Sequence, residues 1–194
     1  QSLLKRSQNQ PKDVWNVLLS WMYTQQKDYL KAFVQEKALF RRNPESLDRM
    51  FNLGEITYEN NAFKISTQVF DYILKHTNNI DFELAAKLYK LEIDRSTDVS
   101  SDVIQKQFVA LLNHYGFSPE TLRIQSVYAE FLAFDLNQSQ EAISLLKSAL
   151  EYELDDFEEG LVKTILGDIY VYDGKFSTAL IYYTQVQKKL KNDE

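Results

Sequence analysis

Three times in this chain, a leucine followed by a small residue is matched by a second small residue twelve positions after the first. Between the two lie an aromatic or hydroxyl residue, a turn and a second aromatic residue. Side chains three or four positions apart share one helix face. The spacing therefore predicts two helices joined by a tight turn, with small residues where the backbones approach. The three sets are Leu19-Ser20 with Ala32, Leu53-Gly54 with Ser66, and Leu166-Gly167 with Ala179.

The sets also keep a register along the chain. Ser20 and Gly54 are 34 residues apart, a period typical of helix-turn-helix repeats. The last set has the most complete pattern: Leu166, Gly167, Tyr170, a turn at Asp173-Gly174, Phe176, Ala179, Tyr183 and Val186. This stretch resembles a tetratricopeptide repeat. It departs from that family at Lys163, where an aromatic residue is usual.

Two earlier stretches resemble the same repeat. Residues 13–46 match nearly as well and end at Asn43-Pro44, where the pattern expects a helix to stop. Residues 47–80 match with a turn at Asn60-Asn61 and with Phe70 on the second helix.

Two longer units fit into the middle of the chain. Gly54 and Gly167 are 113 residues apart, which makes three steps of about 38 residues. Divergent units are therefore expected at 81–117 and 118–156, ahead of a last unit at 157–191.

The resemblance implies an all-α fold, a superhelical solenoid of about five antiparallel helix pairs in a single repeat domain over residues 1–194. Gln1 to Arg6 have the pattern of the end of a preceding second helix, and no polar capping helix is evident at Lys191 to Glu194. We therefore expect a piece of a longer array. The alternative is a short natural protein whose own ends act as caps.

Composition favours helices and excludes several classes. The chain has five Gly, three Pro and no Cys, and no apolar run approaches the roughly 18 residues that a membrane span needs. Without Cys there are no disulfides, no thiol catalysis and no cysteine-ligated zinc.

The repeat around Gly167 also looks like those of bacterial envelope proteins that carry a secretion signal, which favours the envelope or periplasm over the cytoplasm.

Charge differs between the two halves. Residues 1–97 carry 14 Lys and Arg against 12 Asp and Glu, a net charge of +2, whereas residues 98–194 carry 8 against 16, a net charge of −8. The acidic half is expected to repel nucleic acid.

The densest acidic run, between Glu151 and Glu159, is interpreted as a solvated loop before a helix N-terminus, with a calcium or basic-partner site as the alternative. The cluster of Lys37, Arg41 and Arg42 is likewise interpreted as structural.

The sequence contains no convincing catalytic or metal site. His76 and His114 fall in different units, and neither has a neighbour at the spacing of a metal ligand. Both are better explained as helix-end residues that meet free carbonyl groups. We therefore predict a protein that is not an enzyme and that uses no cofactor or metal.

A binding surface is predicted from the resemblance alone. In tetratricopeptide arrays the first helices line the concave face, which implies an aromatic surface edged with carboxylates. The alternative for each residue is burial against the next unit's first helix. A clamp for an acidic C-terminus is improbable, because only Asn52 matches the side chains that form it. The predicted partner-binding residues are Val17, Trp21, Phe51, Glu55, Tyr58, Phe82 and Tyr89.

The predicted function is a scaffold that binds a protein partner, as a peptide or a helix laid in the concave groove. The non-catalytic repeat region of a larger enzyme or regulator is an alternative. RNA binding by helical repeats is another, which the acidic balance opposes. Self-association through uncapped end helices is also open.

Overall fold

A computed structural model describes residues 10–43, 47–116 and 118–192. Within these ranges the chain forms ten α-helices and no strand, which confirms the predicted all-α fold. The predicted helix end at Gln1 to Arg6 lies outside the described residues, as do Pro44 and the last two residues. The chain divides between Thr97 and Asp98 into two compact units. The grouping of all repeats into one domain stays a prediction.

The first unit contains two helix pairs followed by a single helix. The first pair is α1 with α2, the second is α3 with α4, and α5 packs against both α4 and α3. Contacts between α2 and α3 join the two pairs. The helices are α1 (Gln10–Gln25), α2 (Tyr29–Phe40), α3 (Leu47–Glu59), α4 (Phe63–His76) and α5 (Ile80–Arg95).

The second unit has the opposite order, a single helix followed by two pairs. Helix α6 packs against α7, α7 pairs with α8, and α9 pairs with α10. The end of α7 widens into a π-helical turn over Phe131–Asp135. The helices are α6 (Ser101–Tyr115), α7 (Pro119–Glu130), α8 (Ser139–Ala149), α9 (Asp156–Tyr172) and α10 (Phe176–Asn192).

The turn inside each of the four pairs contains one residue with a left-handed backbone. The second helix begins two residues later. In three of the pairs, the N–H after this residue donates to the carbonyl five positions earlier, and each bond is 2.8 Å long. This is the bond that closes a Schellman-type helix end, for which glycine and asparagine are the usual residues. The left-handed residues are Lys27 (φ 58°), Asn61 (φ 57°), Asn137 (φ 56°) and Gly174 (φ 71°).

The small residues lie where the helices of a pair cross. A Cβ atom on Gly54 would stand 2.7 Å from the ring of Phe70, and one on Gly167 would overlap the ring of Tyr183. The hydroxyl of Ser66 donates to the carbonyl of Gly54 over 3.0 Å. The two small residues of this set therefore meet across the pair, as the spacing predicts.

The pair formed by α7 and α8 keeps this plan with one extra residue. Its turn bond runs from the N–H of Gln138 to the carbonyl of Leu132, six positions back instead of five. The π-helical turn accommodates the extra residue. Ala129 therefore lies eight positions before the left-handed Asn137, whereas in the other three pairs the small residue lies seven positions before the left-handed residue. Ala129 and Ala142 are both completely buried, as small residues at a crossing should be.

The core of the first unit is rich in aromatic residues. Phe70, Ile73 and Val69 of α4 are completely buried and lie in one cluster with Phe33 and Phe40 of α2. Burial of each such side chain contributes about 1.5–3 kcal/mol to folding. Helix α4 is therefore the element around which the first unit packs.

Candidate functional site

Aromatic rings from three helices meet in the first unit, and four of them were predicted as partner contacts. The ring of Phe51 lies 5.7 Å from that of Phe82 and 5.6 Å from that of Tyr89. Tyr58 lies 5.5 Å from Tyr89. All these rings also pack against the core that contains Phe70. We call Phe51, Tyr58, Phe82 and Tyr89 the α3–α5 aromatic cluster.

Tyr89 anchors this cluster from α5. Its ring stacks on Phe70 with the centroids 5.0 Å apart and the planes at 13°. Its hydroxyl donates to Oε1 of Glu55 over 2.9 Å. Burial and this bond to a carboxylate both raise the pKa of Tyr89 above its usual value. Glu55 and Tyr89 stand 34 residues apart, so the bond joins corresponding positions of α3 and α5.

The α3–α5 aromatic cluster is half-buried. Its edge-to-face and stacked ring contacts hold α5 against α3 and α4, and each such pair adds about 0.5–1.5 kcal/mol beyond area burial. The sequence left two roles open for these residues, contact with a partner or packing against the next first helix. The structure shows the packing; contact with a partner stays a prediction.

Val17 and Trp21, the two remaining predicted residues, lie on α1. Val17 is half-buried, whereas Trp21 is 60% exposed. Trp21 belongs to a row of apolar side chains along one face of α1, which we call the α1 stripe. Ser20, which lies away from the stripe, is only 3% exposed. The stripe consists of Val14, Trp15, Leu18, Trp21 and Met22, each 45–64% exposed.

The stripe is wider than the resemblance predicts. The resemblance did not predict Trp15, Leu18 and Met22, because it selects only positions that face the groove in a standard repeat. A helical projection places the five side chains within about 120° of one another, about the width of a face that normally meets a neighbour. Periodicity alone therefore contained the signal for these residues.

A partly buried ion pair joins the first helix pair to the second. Oε1 of Glu36 accepts from Nη2 of Arg49 over 2.8 Å, and Oε2 accepts from Nε over 3.2 Å. Glu36 is 5% exposed and stands sixteen positions after Ser20, as Phe70 does after Gly54. The repeat pattern does not predict this ion pair, because its two side chains lie in different helix pairs.

The structure supports structural roles for the polar groups that the sequence singled out. Nδ1 of His76 lies 2.7 Å from the carbonyl oxygen of Tyr72, at the end of α4. The acidic run forms a capping box. Oδ1 of Asp155 accepts from the N–H of Glu158 over 2.8 Å, and the N–H of Asp155 donates to Oε2 of Glu158 over 3.0 Å. The ammonium group of Lys37 lies over the ring of Phe33.

The described ranges contain no group of three or more His, Cys, Asp or Glu side chains placed to hold a metal ion. None of the helices in those ranges has both the length and the apolar character needed to cross a bilayer.

Comparison with known proteins identifies the fold. No protein-family model matches the sequence, and neither does any curated protein. A tetratricopeptide repeat protein from Parabacteroides merdae is similar in structure over 88% of this chain and 62% of its own, with a TM-score of 0.60 and 15% identity. MamA from Desulfovibrio magneticus is similar over 94% of this chain and 97% of its own, with a TM-score of 0.53 and 17% identity. The chain therefore has a tetratricopeptide-like helical repeat fold.

Proposed function

We propose that this protein is a non-catalytic scaffold that binds a protein partner, and that the α1 stripe is the main contact. The observation that carries this proposal is the exposure of two tryptophans and three aliphatic side chains on one helix face. Contiguous exposed apolar patches are uncommon on proteins that do not bind a partner. Trp is also among the residues that concentrate binding energy.

The helical form of the stripe favours a helix or an extended peptide as the partner. Its members recur at spacings of three and four residues, so they form one continuous ridge along α1. A partner helix with a complementary apolar face buries such a ridge efficiently. The partner then needs no charge of its own in this region.

The α3–α5 aromatic cluster contributes the second part of the proposed surface. Its half-buried rings are already ordered by contacts with one another, so binding to their exposed edges costs little side-chain entropy. Glu55 borders the cluster on α3, where it accepts the hydrogen bond from Tyr89, and Val17 borders the stripe on α1. We propose that a partner contacts the seven predicted residues together with the stripe.

The proposal is tested with peptides selected from a random phage-displayed library against the intact protein. Trp15 and Trp21 are the only tryptophans in the chain, so a peptide on the stripe shifts intrinsic fluorescence to the blue. We expect Trp21→Ala to weaken binding about tenfold or more without loss of helicity. Adding Tyr58→Ala should abolish binding.

The matched control is Phe157→Ala, which removes an 80% exposed ring from α9. This change should leave peptide affinity unaltered. Peptides that bind wild type and Trp21→Ala equally, with no change in tryptophan emission, would contradict the proposed surface.

Self-association is a second candidate, favoured by exposed apolar side chains on α10. Phe176, Leu180 and Ile181 are 57–67% exposed. If the α10 face meets the α1 stripe of another copy, the contact joins two different surfaces and can continue into a chain. Light scattering over a concentration series should then show growth in mass, which Trp21→Ala and Leu180→Glu each suppress. A constant monomer mass would exclude this candidate.

A further inference from the structure

The second unit contains a cavity of about 640 Å³ that no part of the predicted surface uses. It lies among the end of α6, the first half of α7 and the loop that joins α8 to α9. Its size is within the range of cavities that bind small ligands or short peptide segments, about 300–1,000 Å³. Both the α1 stripe and the α3–α5 aromatic cluster belong to the first unit, so this cavity is a separate feature.

Leucine side chains form the apolar part of the cavity. Leu122 of α7 is 7% exposed, and Leu112 of α6 and Leu154 of the loop are half-buried. Tyr152 lines the same cavity and is 53% exposed. An aliphatic chain that enters the cavity therefore meets carbon on several sides and loses contact with water.

Two side-chain amides add hydrogen-bonding groups to the lining. Asn113 lies on α6, and Gln125 lies on α7. Each amide offers both donors and an acceptor, which is the combination that a peptide backbone requires. The cavity can therefore orient a main chain as well as cover a side chain.

Carboxylates give the cavity a negative potential. Glu153 is exposed in the loop, and Glu158 is half-buried in the first turn of α9. None of the eleven residues that line the cavity is cationic. The second unit as a whole carries a net charge of −8. This charge adds to the attraction that the two carboxylates exert on a cation.

We propose that this cavity binds a lysine- or arginine-bearing segment of a partner protein. The aliphatic stem lies against Leu112 and Leu122, and the charged head stays near Glu153 and Glu158, as long cationic side chains do when they bury their stems. Asn113 and Gln125 pair with the segment's backbone. This site is independent of the α1 stripe, and its failure leaves the proposed function untouched.

The probe is the peptide acetyl-Ala-Leu-Lys-Leu-Ala-amide, with a second peptide that has Gln in place of Lys as its counterpart. Each is titrated into the full isotope-labelled chain and followed by nuclear magnetic resonance. We expect the lysine peptide to shift the side-chain amide signals of Asn113 and Gln125. Glu153→Gln should weaken its binding about three- to fivefold, because one exposed ion pair is lost.

The matched control is Glu141→Gln on α8, which removes the same charge from an exposed residue outside the cavity. It should leave affinity nearly unchanged. Equal binding of both peptides, or equal effects of the two substitutions, would overturn the proposal. It is also overturned if no shift occurs at millimolar peptide, if the shifts map to other residues, or if arginine amide alone binds as well as the peptide.

Discussion

Two helix crossings in this molecule begin from the same local pattern and end in different surroundings. In the Gly54 crossing, Gly54 of α3 lies under the ring of Phe70 of α4. In the Gly167 crossing, Gly167 of α9 lies under the ring of Tyr183 of α10. Each ring belongs to the residue sixteen positions after its glycine. The backbones therefore approach in the same way in both units.

The surroundings of the two rings differ. Phe70 is completely buried, and Tyr89 of α5 stacks on it. Tyr183 is half-buried, and its hydroxyl donates to Oδ1 of Asp168 over 2.6 Å. The spacing of small and aromatic residues thus determines where two helices cross. A third helix determines whether the covering ring becomes core or remains at the surface.

The largest expected difference between the crossings comes from removing the rings. Phe70→Ala should lower the free energy of unfolding by about 3–5 kcal/mol, because it leaves a cavity at the centre of the first unit. Tyr183→Ala should cost only about 1 kcal/mol, since water already reaches its ring. Urea unfolding followed by circular dichroism measures both. Equal losses would mean that the second crossing is as closed as the first.

Substitution of the glycines should give a smaller contrast. Gly54→Leu should lower the free energy of unfolding by about 3 kcal/mol, because Phe70 is enclosed and cannot move aside. Gly167→Leu should cost about 1–2 kcal/mol, since the ring of Tyr183 can swing toward solvent. The measurement is again urea unfolding, and tryptophan emission reports the first unit separately because both tryptophans lie on α1.

A third glycine provides the control for these two. Gly160 lies within α9, and the nearest atom to a Cβ placed there is 4.0 Å away on Val186. Gly160→Ala should raise the free energy of unfolding by about 0.5–1 kcal/mol through helix propensity alone. A loss at this position would show that glycine is needed in α9 for a reason other than space.

The smallest effect concerns pH. The hydrogen bond to Asp168, with some burial, raises the pKa of Tyr183 to about 12. Because the folded pKa lies above the unfolded value of 10.0, the stability from this bond is complete below pH 10.0 and is lost as the pH rises through about 12. Phenolate absorbance of wild type minus that of Tyr183→Phe should therefore isolate one late-titrating tyrosine. At the Gly54 crossing the covering ring, Phe70, cannot ionise, and the raised pKa of Tyr89 beside it is present in both proteins and cancels in the difference.

The helix pairs were predictable from sequence where each feature depends on residues close together in the chain. Gly54 and Ser66 fall within one pair, and so do Gly167 and Ala179, so spacing alone places them on paired helices. The Schellman-type turn at Lys27 was harder, because a lysine rarely adopts a left-handed backbone and gives no compositional signal. There the flanking helices impose the turn on the residue.

The candidate site was less predictable, because contacts between helices of different pairs decide which side chains are covered. Phe51 and Tyr89 have the residue types of a binding surface, yet each packs against the other's helix. Glu36 has the residue type of a surface charge, yet it is buried and pairs with the partly exposed Arg49. The cavity beside Leu122 depends on a loop thirty residues further along the chain, at Tyr152. Local periodicity contains none of this information.

The π-helical turn over Phe131–Asp135 has a consequence for how such a chain can change its length. A first helix that widens for one turn takes up an inserted amino acid without displacing the bend that follows or the partner helix beyond it. The helix crossing is then preserved although the number of residues in the repeat changes. Neighbouring repeats can therefore differ in sequence length and still pack their helices in the same way.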